Sequence, residues 1–173
     1  VYGAQLTSDK NGKHNAAYTF DGVNDFIKVP TSTSLENFDK EITINAWINI
    51  NKWFNSGSVG YFPILEKSDE SSIGGLMNLH INTSTGIQSI YRGNIAYNNY
   101  KIPLNQWVYV SFVCKNNTAY FYIDGNLIGK KQMNGNYSYK KNSPLIIGKD
   151  IPGLVEYANG KIDEIRIYNR ALS

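Results

Sequence analysis

The chain has 173 residues, of which 42% are hydrophobic and 18% charged, with a formal net charge of +3. That length suits one domain, at ~100–200 residues each, and the hydrophobic share excludes wholesale disorder. Only three of the seventeen basic residues are Arg and the lysines are dispersed, which argues against nucleic acid, where bidentate Arg is preferred.

The pattern along the chain is that of strands. Segments 17–20 and 26–29 read as strands on either side of the run FDGVND. Ile42, Ile44, Ala46, Ile48 and Ile50 then alternate with Thr43, Asn45, Trp47 and Asn49, a two-residue period that puts the aliphatics on one face. Further strands are expected at 63–67, 76–82 and 86–91. Two apolar-aromatic runs, 107–115 and 118–124, are joined by Asn116–Asn117, and Asn tolerates the positive φ of a two-residue hairpin turn. Asp124–Gly125 marks the next hairpin, into 126–130, and strands at 144–149 and 161–168 follow. In the last of these Ile162, Ile165 and Ile167 break the alternation, so a bulge is expected at Asp163–Glu164. No window has helical spacing, while fifteen Gly and twenty-two Asn supply turns. Roughly eleven short strands without a linker predict a single all-β domain over residues 1–173, a two-sheet antiparallel sandwich.

No apolar run approaches the ~18 residues of a membrane span, so membrane insertion is not expected. The opening VYGAQLTSDKNGKHNAAYTF has no signal-peptide pattern, and strands are expected close to both ends. The chain is therefore expected to be a domain of a larger multidomain protein.

Much enzyme chemistry is missing. The single cysteine, Cys114, follows Val108, Val110 and Phe112 at period two and reads as core, with no partner for a disulfide or a CxxC site. GxGxxG, P-loop, HExxH and GxSxG patterns are absent. Glycosidases need paired carboxylates on one face, ~5–9.5 Å apart. Glu66 and Asp69 in EKSDE differ by an odd number, and Asp163 and Glu164 are adjacent, so regular strands would send each pair to opposite sides.

Two constellations do carry a signal. Asp21, Asn24 and Asp25 in FDGVND offer hard oxygens in a tight loop, which suits Ca²⁺, although the same side chains also serve to bond their own turn backbone. A bulge would re-aim Asp163 or Glu164 so that either becomes a further ligand there. The second is aromatic: Trp53, Phe54, Tyr61, Phe62, Tyr91, Tyr97, Tyr100, Tyr137 and Tyr139 fall in expected loops, and Trp47 shares a strand face with Asn45 and Asn49. Aromatic faces beside amides suit the apolar C–H faces and hydroxyls of a sugar. The candidate ligand contacts are Trp47, Asn45, Asn49, Trp53, Tyr61, His80, Tyr91, Arg92, Tyr97, Tyr100 and Tyr137.

Three blocks, AAYTFDGVNDFIKVPTSTSLENFDKEITINAWINI, NQWVYVSFVCKNNTAYFYIDGNLIG and PLIIGKDIPGLVEYANGKIDEIRIYNRALS, resemble a laminin-G-like jelly-roll domain of the concanavalin A-like lectin/glucanase superfamily. The resemblance covers nearly the whole chain. It implies two antiparallel sheets and frequently one structural Ca²⁺ at the sandwich edge, which here would fall on Asp21, Asn24, Asp25, Asp163 and Glu164. Catalytic relatives carry Glu-x-Asp-x-(x)-Glu on one strand, which is absent. The expected function is a non-catalytic carbohydrate-binding module, secreted or surface-displayed, that targets other domains of the same chain to a glycan. The alternatives are a protein-binding adhesion domain and a divergent glycoside hydrolase.

Overall fold

Alternating β-branched and aromatic residues fold here into strands, fourteen among the residues that the computed structural model describes: 1–36, 38, 41–68, 76–91, 94–133, 142–150 and 156–172. In chain order they are β1 (Gln5–Thr7), β2 (Ala17–Asp21), β3 (Ile27–Val29), β4 (Ile42–Lys52), β5 (Phe54–Ser56), β6 (Val59–Lys67) and β7 (Met77–Asn82). Then come β8 (Gly86–Tyr91), β9 (Asn94–Tyr97), β10 (Trp107–Lys115), β11 (Thr118–Ile123), β12 (Asn126–Gln132), β13 (Leu145–Ile147) and β14 (Asn159–Tyr168). The first sheet runs β1-β2-β14-β4-β10-β11-β12, and the second runs β3-β13-β6-β7-β8-β9 with β5 also paired to β6. All these pairings are antiparallel. Among the described residues no helix is long and apolar enough to cross a membrane.

The core lies between the sheets. The aliphatic face of β4 pairs in register with β10, Ala46 beside Val110, Ile44 beside Phe112 and Ile42 beside Cys114, so Cys114 is core as expected. Phe62, Leu65, Leu79, Ile81 and Ile87 of the second sheet join the same buried cluster. Both hairpins form as the sequence predicts. Asn116 and Asn117 have φ of 49° and 58°, and Asp124 and Gly125 have 49° and 80°, the positive values a two-residue primed turn requires.

The bulge expected in β14 is present. Asp163 pairs with Trp47 and Arg166 with Asn45, so Glu164 and Ile165 together oppose Ala46, and Glu164 takes a φ of 46°. Gly160, four positions before Glu164, has a φ of 153°, and a Cβ there would sit 2.2 Å from the Asn49 carbonyl oxygen. Only glycine lets β14 approach β4 so closely.

Three strands, β1, β5 and β9, were not expected, and the aromatic segment read as a loop around residues 53–62 is corrected. It is a hairpin turning at Gly57, with Phe54 opposite Tyr61, and Phe62 is wholly buried. The alternation there is hidden because β6 is covered on both faces, so polar residues do not mark an outside.

Candidate ligand-binding face

The second sheet has its inner positions in the core, so its alternation fixes what faces outward. Opposite pairs Tyr61–Asn82, Pro63–His80, Glu66–Asn78 and His80–Gln88 share the outer face, and Gln88 in turn pairs with Tyr97. A row Tyr97–Gln88–His80 therefore crosses β9, β8 and β7, about 10 Å long at ~4.8 Å per strand. Asn82 is engaged locally: its Oδ1 accepts from the N–H groups of Ser84 and Thr85, and its Nδ2 donates to Gln88 Oε1 at 3.2 Å. His80 is different. It is 6% exposed; the Gln88 side chain opposite it lies within hydrogen-bonding reach, but neither ring nitrogen makes a well-aligned hydrogen bond among the described residues. The Tyr61 ring stands edge-on to it, centroids 6.1 Å apart.

A second element supplies acids to this face. The Asp150 N–H donates to the Glu156 carbonyl and the Ala158 N–H to that of Gly148, while Lys149 bridges Tyr157. This pairing brings Asp150 and Glu156 together above β6. Asp150 Oδ2 lies 4.0 Å from His80 Nδ1, and the Asp150 carboxyl is in side-chain hydrogen-bond contact with both Glu66 and Glu156. Ser68 and Asn78 also hydrogen-bond to Glu66. Tyr157 adds an aromatic wall, packed edge-on against Phe54, and the Lys149 ammonium lies over the rings of Phe26 and Tyr157, 5.0 and 5.6 Å from their centroids.

The electrostatics follow from crowding. Burial, and then the Asp150 charge, push the Glu66 carboxyl well above its ordinary range, and the same two causes raise Glu156 to about 8. Burial lowers the pKa of His80, with the Asp150 charge opposing it, so the imidazole is held neutral. Tyr61 is raised by burial and by the charges of Glu156 and Asp150, which keeps its phenol protonated as a donor.

The other expected site residues fall elsewhere. Trp47, Asn45 and Asn49 do share a face, but it is the outer face of the first sheet. Trp47 packs on Tyr109 with centroids 5.1 Å apart, and the Lys10 ammonium covers its ring at 4.6 Å. The Oδ1 atoms of Asn45 and Asn49 are buried without a hydrogen-bond partner among the described residues. Trp53 is half-buried against the core cluster. Tyr91 is corrected from loop to core: it is buried, and its hydroxyl donates to the Phe38 carbonyl at 3.1 Å. Tyr97 and Tyr100 are exposed, with the Lys131 ammonium 3.7 Å over the Tyr97 ring. Arg92, Tyr137 and Tyr139 lie outside the described residues.

The five expected calcium ligands are not gathered into one cage. Asp21 Oδ1 accepts from the N–H groups of Val23 and Asn24, and Asp25 Oδ2 accepts from the Asp21 N–H at 2.9 Å. Those carboxylates hold their own turn. Asn159 is the residue opposite Asp21, so Asp163 lies four residues further along β14, about 13 Å away at ~3.3 Å per residue. Asp163 accepts from the Glu164 N–H, and Glu164 pairs with Arg166 at 3.1 Å in solvent. Both instead line the rim of a cavity of about 310 Å³ walled by Tyr18, Phe20, Ile27 and Ile162. As one set, these residues do not fit a single ion.

Sequence reasoning missed Asp150 and Glu156. The available signal was the turn sequence Pro152–Gly153 between them, which favours a hairpin and hence a meeting of the two acids.

A family model, Laminin_G_3, described as the concanavalin A-like lectin/glucanases superfamily, matches residues 21–173, and the chain belongs to this family. Among solved structures it is similar to domain 4 of a GH43 extracellular arabinanase from Geobacillus stearothermophilus in complex with arabinotriose. There the TM-score is 0.67 at 16% identity, covering 98% of this chain and 77% of that one. Trypanosoma rangeli sialidase gives 0.65 at 17%, covering 98% and 27%. A botulinum neurotoxin type C structure, described by the toxin's dependence on two ganglioside molecules for cell entry, gives 0.70 at 14%, covering 99% and 42%. The chain spans less than half the length of the toxin chains it matches. No curated protein gives a significant sequence match. At these identities the likeness establishes the two-sheet fold.

Proposed function

We propose that this domain is a non-catalytic carbohydrate-binding module that seats a saccharide on the outer face of the second sheet, over His80. The carrying observation is the outer-face row itself: His80, a neutral imidazole 6% exposed and without a well-aligned hydrogen bond among the described residues, stands between Tyr61 and Gln88, with the exposed Tyr97 next along the row. The imidazole offers one donor and one acceptor, the complement a sugar hydroxyl needs. Tyr61 beside it and the exposed Tyr97 along the same row offer apolar ring faces to sugar C–H groups. The arabinotriose and gangliosides named for two relatives support a saccharide as the ligand.

Hydrolysis is not favoured by this geometry. The Glu-x-Asp-x-(x)-Glu strand of catalytic relatives is absent from this chain, and Asp150 crowds both Glu66 and Glu156 and pushes those two carboxyls towards the neutral form. We place the module outside the cell in a larger secreted or surface protein, in which a weak single site gains avidity from its parent chain. The extracellular arabinanase supports that placement.

Affinity electrophoresis through a panel of plant, bacterial and host polysaccharides is expected to show retention on at least one. His80→Ala is expected to weaken that binding at least tenfold, with the circular dichroism spectrum unchanged. Mobility unaffected by every polysaccharide would remove the proposal.

A further inference from the structure

We propose that this domain takes an extended peptide as an added strand on the open edge of β14, a binding site separate from the saccharide face. β14 pairs with β4 from Asn159 to Tyr168, but with β2 only from Asn159 to Ile162. Ahead of β2 the chain turns away. Asn15 has a φ of 55°, and the Ala16 N–H donates to the Thr7 carbonyl within the β1–β2 hairpin. From residue 163 to 168, therefore, no described strand pairs with β14 on its β2 side. None of the turn or loop backbone hydrogen bonds among the described residues reaches it either. That leaves about 20 Å of strand, at ~3.3 Å per residue, in which every second residue presents its N–H and C=O away from β4.

Two hollows beside this edge define the side chains such a strand carries. The cavity of about 310 Å³ is bounded by Ile162 and Ile165 of β14, Tyr18 and Phe20 of β2, and Ile27 and Ile147. A second hollow, of about 540 Å³, follows at Leu35, Phe38 and Ile167. Ile165 and Ile167 are two residues apart and both pack inward on the core, so each stands in one hollow. Leu6 marks the same missing cover. It lies opposite Tyr18, in the row that ends at the buried Ile162, yet it is 52% exposed. A strand added here turns alternate side chains onto Ile165 and Ile167, so it is selected for apolar residues two apart. The residue between them faces outward. Asp163, opposite Trp47, is on that side and forms no ion pair with Lys or Arg among the described residues, which favours a basic residue there. Main-chain bonds then supply affinity and the two hollows supply specificity. The β14 bulge and the exposed Glu164–Arg166 pair guard against flat pairing with the edge of a second copy.

The probe is a library of capped peptides of the form TTxKxTT, each x drawn from valine, isoleucine, leucine, phenylalanine and tyrosine. Fluorescence polarisation with labelled pools is expected to show saturable binding of at least one pool at submillimolar protein. The bound peptide is then N-methylated at its odd or at its even residues. One version is expected to bind at least tenfold more weakly and the other nearly as before, since only one side of an added strand faces β14. Ile165→Thr keeps a β-branched residue in the strand. It is expected to weaken peptide binding at least threefold, with retention on polysaccharide unchanged. Amide hydrogen exchange within residues 163–168 is expected to slow when the peptide is added. Failure of every pool at millimolar peptide, equal binding by both methylated versions, or protection only outside residues 163–168 overturns the inference. So does self-association that protects the same amides, which assigns the edge to a second copy. Each of these results leaves the saccharide assignment standing.

Discussion

Replacing Glu36 with alanine is expected to lower the unfolding free energy by about 3–5 kcal/mol, the usual cost of stripping one partner from a buried ion pair. Lys67 ends β6 with its side chain 1% exposed and its ammonium 2.8 Å from Glu36 Oε1. The same ammonium donates to the Ser143 carbonyl. Glu36 Oε1 also accepts from the Thr31 hydroxyl at 2.7 Å and the Asn142 N–H at 3.1 Å. One carboxyl oxygen thereby ties the segment before β4 and the segment before β13 to the end of β6.

Burial raises the Glu36 pKa, but hydrogen bonds from Lys67 and Thr31 more than offset it, so the carboxyl sits below its ordinary range. Its contribution is therefore present above the unfolded pKa and lost as pH falls through the folded one. Urea denaturation at pH 7 measures the effect. A double replacement, Glu36→Leu with Lys67→Met, is expected to recover most of the loss, because apolar isosteres of buried pairs are often neutral. A loss below about 1 kcal/mol for Glu36→Ala would show that the pair is solvated in solution.

Stability is also expected to decline as pH rises from 6.5 to 8, by about 1–2 kcal/mol. Glu66 and Glu156 have folded pKa values raised above the unfolded carboxylate range, Glu156 to about 8. A raised group binds its proton more tightly when folded, so its stability is complete below the unfolded pKa and disappears as pH climbs through the folded one. One such proton gives a slope of up to ~1.4 kcal/mol per pH unit, reduced here because Glu156 is partly screened by solvent. Below pH 6.5 the sign of His80 opposes this, since its depressed pKa makes the folded state resist protonation. Between 6.5 and 8 that opposition fades and the carboxyls dominate. Denaturation series across this window should show the fall, and Glu156→Gln should flatten it. A profile that rises with pH there would mean the acids already have a counter-charge.

Much of the scaffold was legible in the chain because period two is visible wherever a strand has one polar side. β4 shows this, with five aliphatics buried and Trp47 outside. Asn116–Asn117 and Asp124–Gly125 announced their hairpins, and the broken spacing of Ile162, Ile165 and Ile167 announced the bulge, since each is a local property. The proposed ligand-binding face was harder to see. Glu66 belongs to β6, His80 to β7, and Asp150 and Glu156 to a pairing near β14, so no spacing rule within one strand relates them. The same limit applies to the five oxygen ligands expected for calcium. β2 pairs with β14 in a register that places Asn159, not Asp163, opposite Asp21. Aromatic richness pointed to a binding surface without separating Tyr61 and Tyr97, on the outer face, from Tyr91, whose ring is buried in the core.

The central claim is positional: the saccharide lies on the outer face of the second sheet. Amide chemical-shift mapping, with the polysaccharide fragment that retains the domain in electrophoresis, tests it most directly. The largest shifts are expected at Tyr61, His80, Gln88, Tyr97 and Asp150. Shifts confined to Asn45, Trp47 and Asn49, on the opposite sheet, would contradict it.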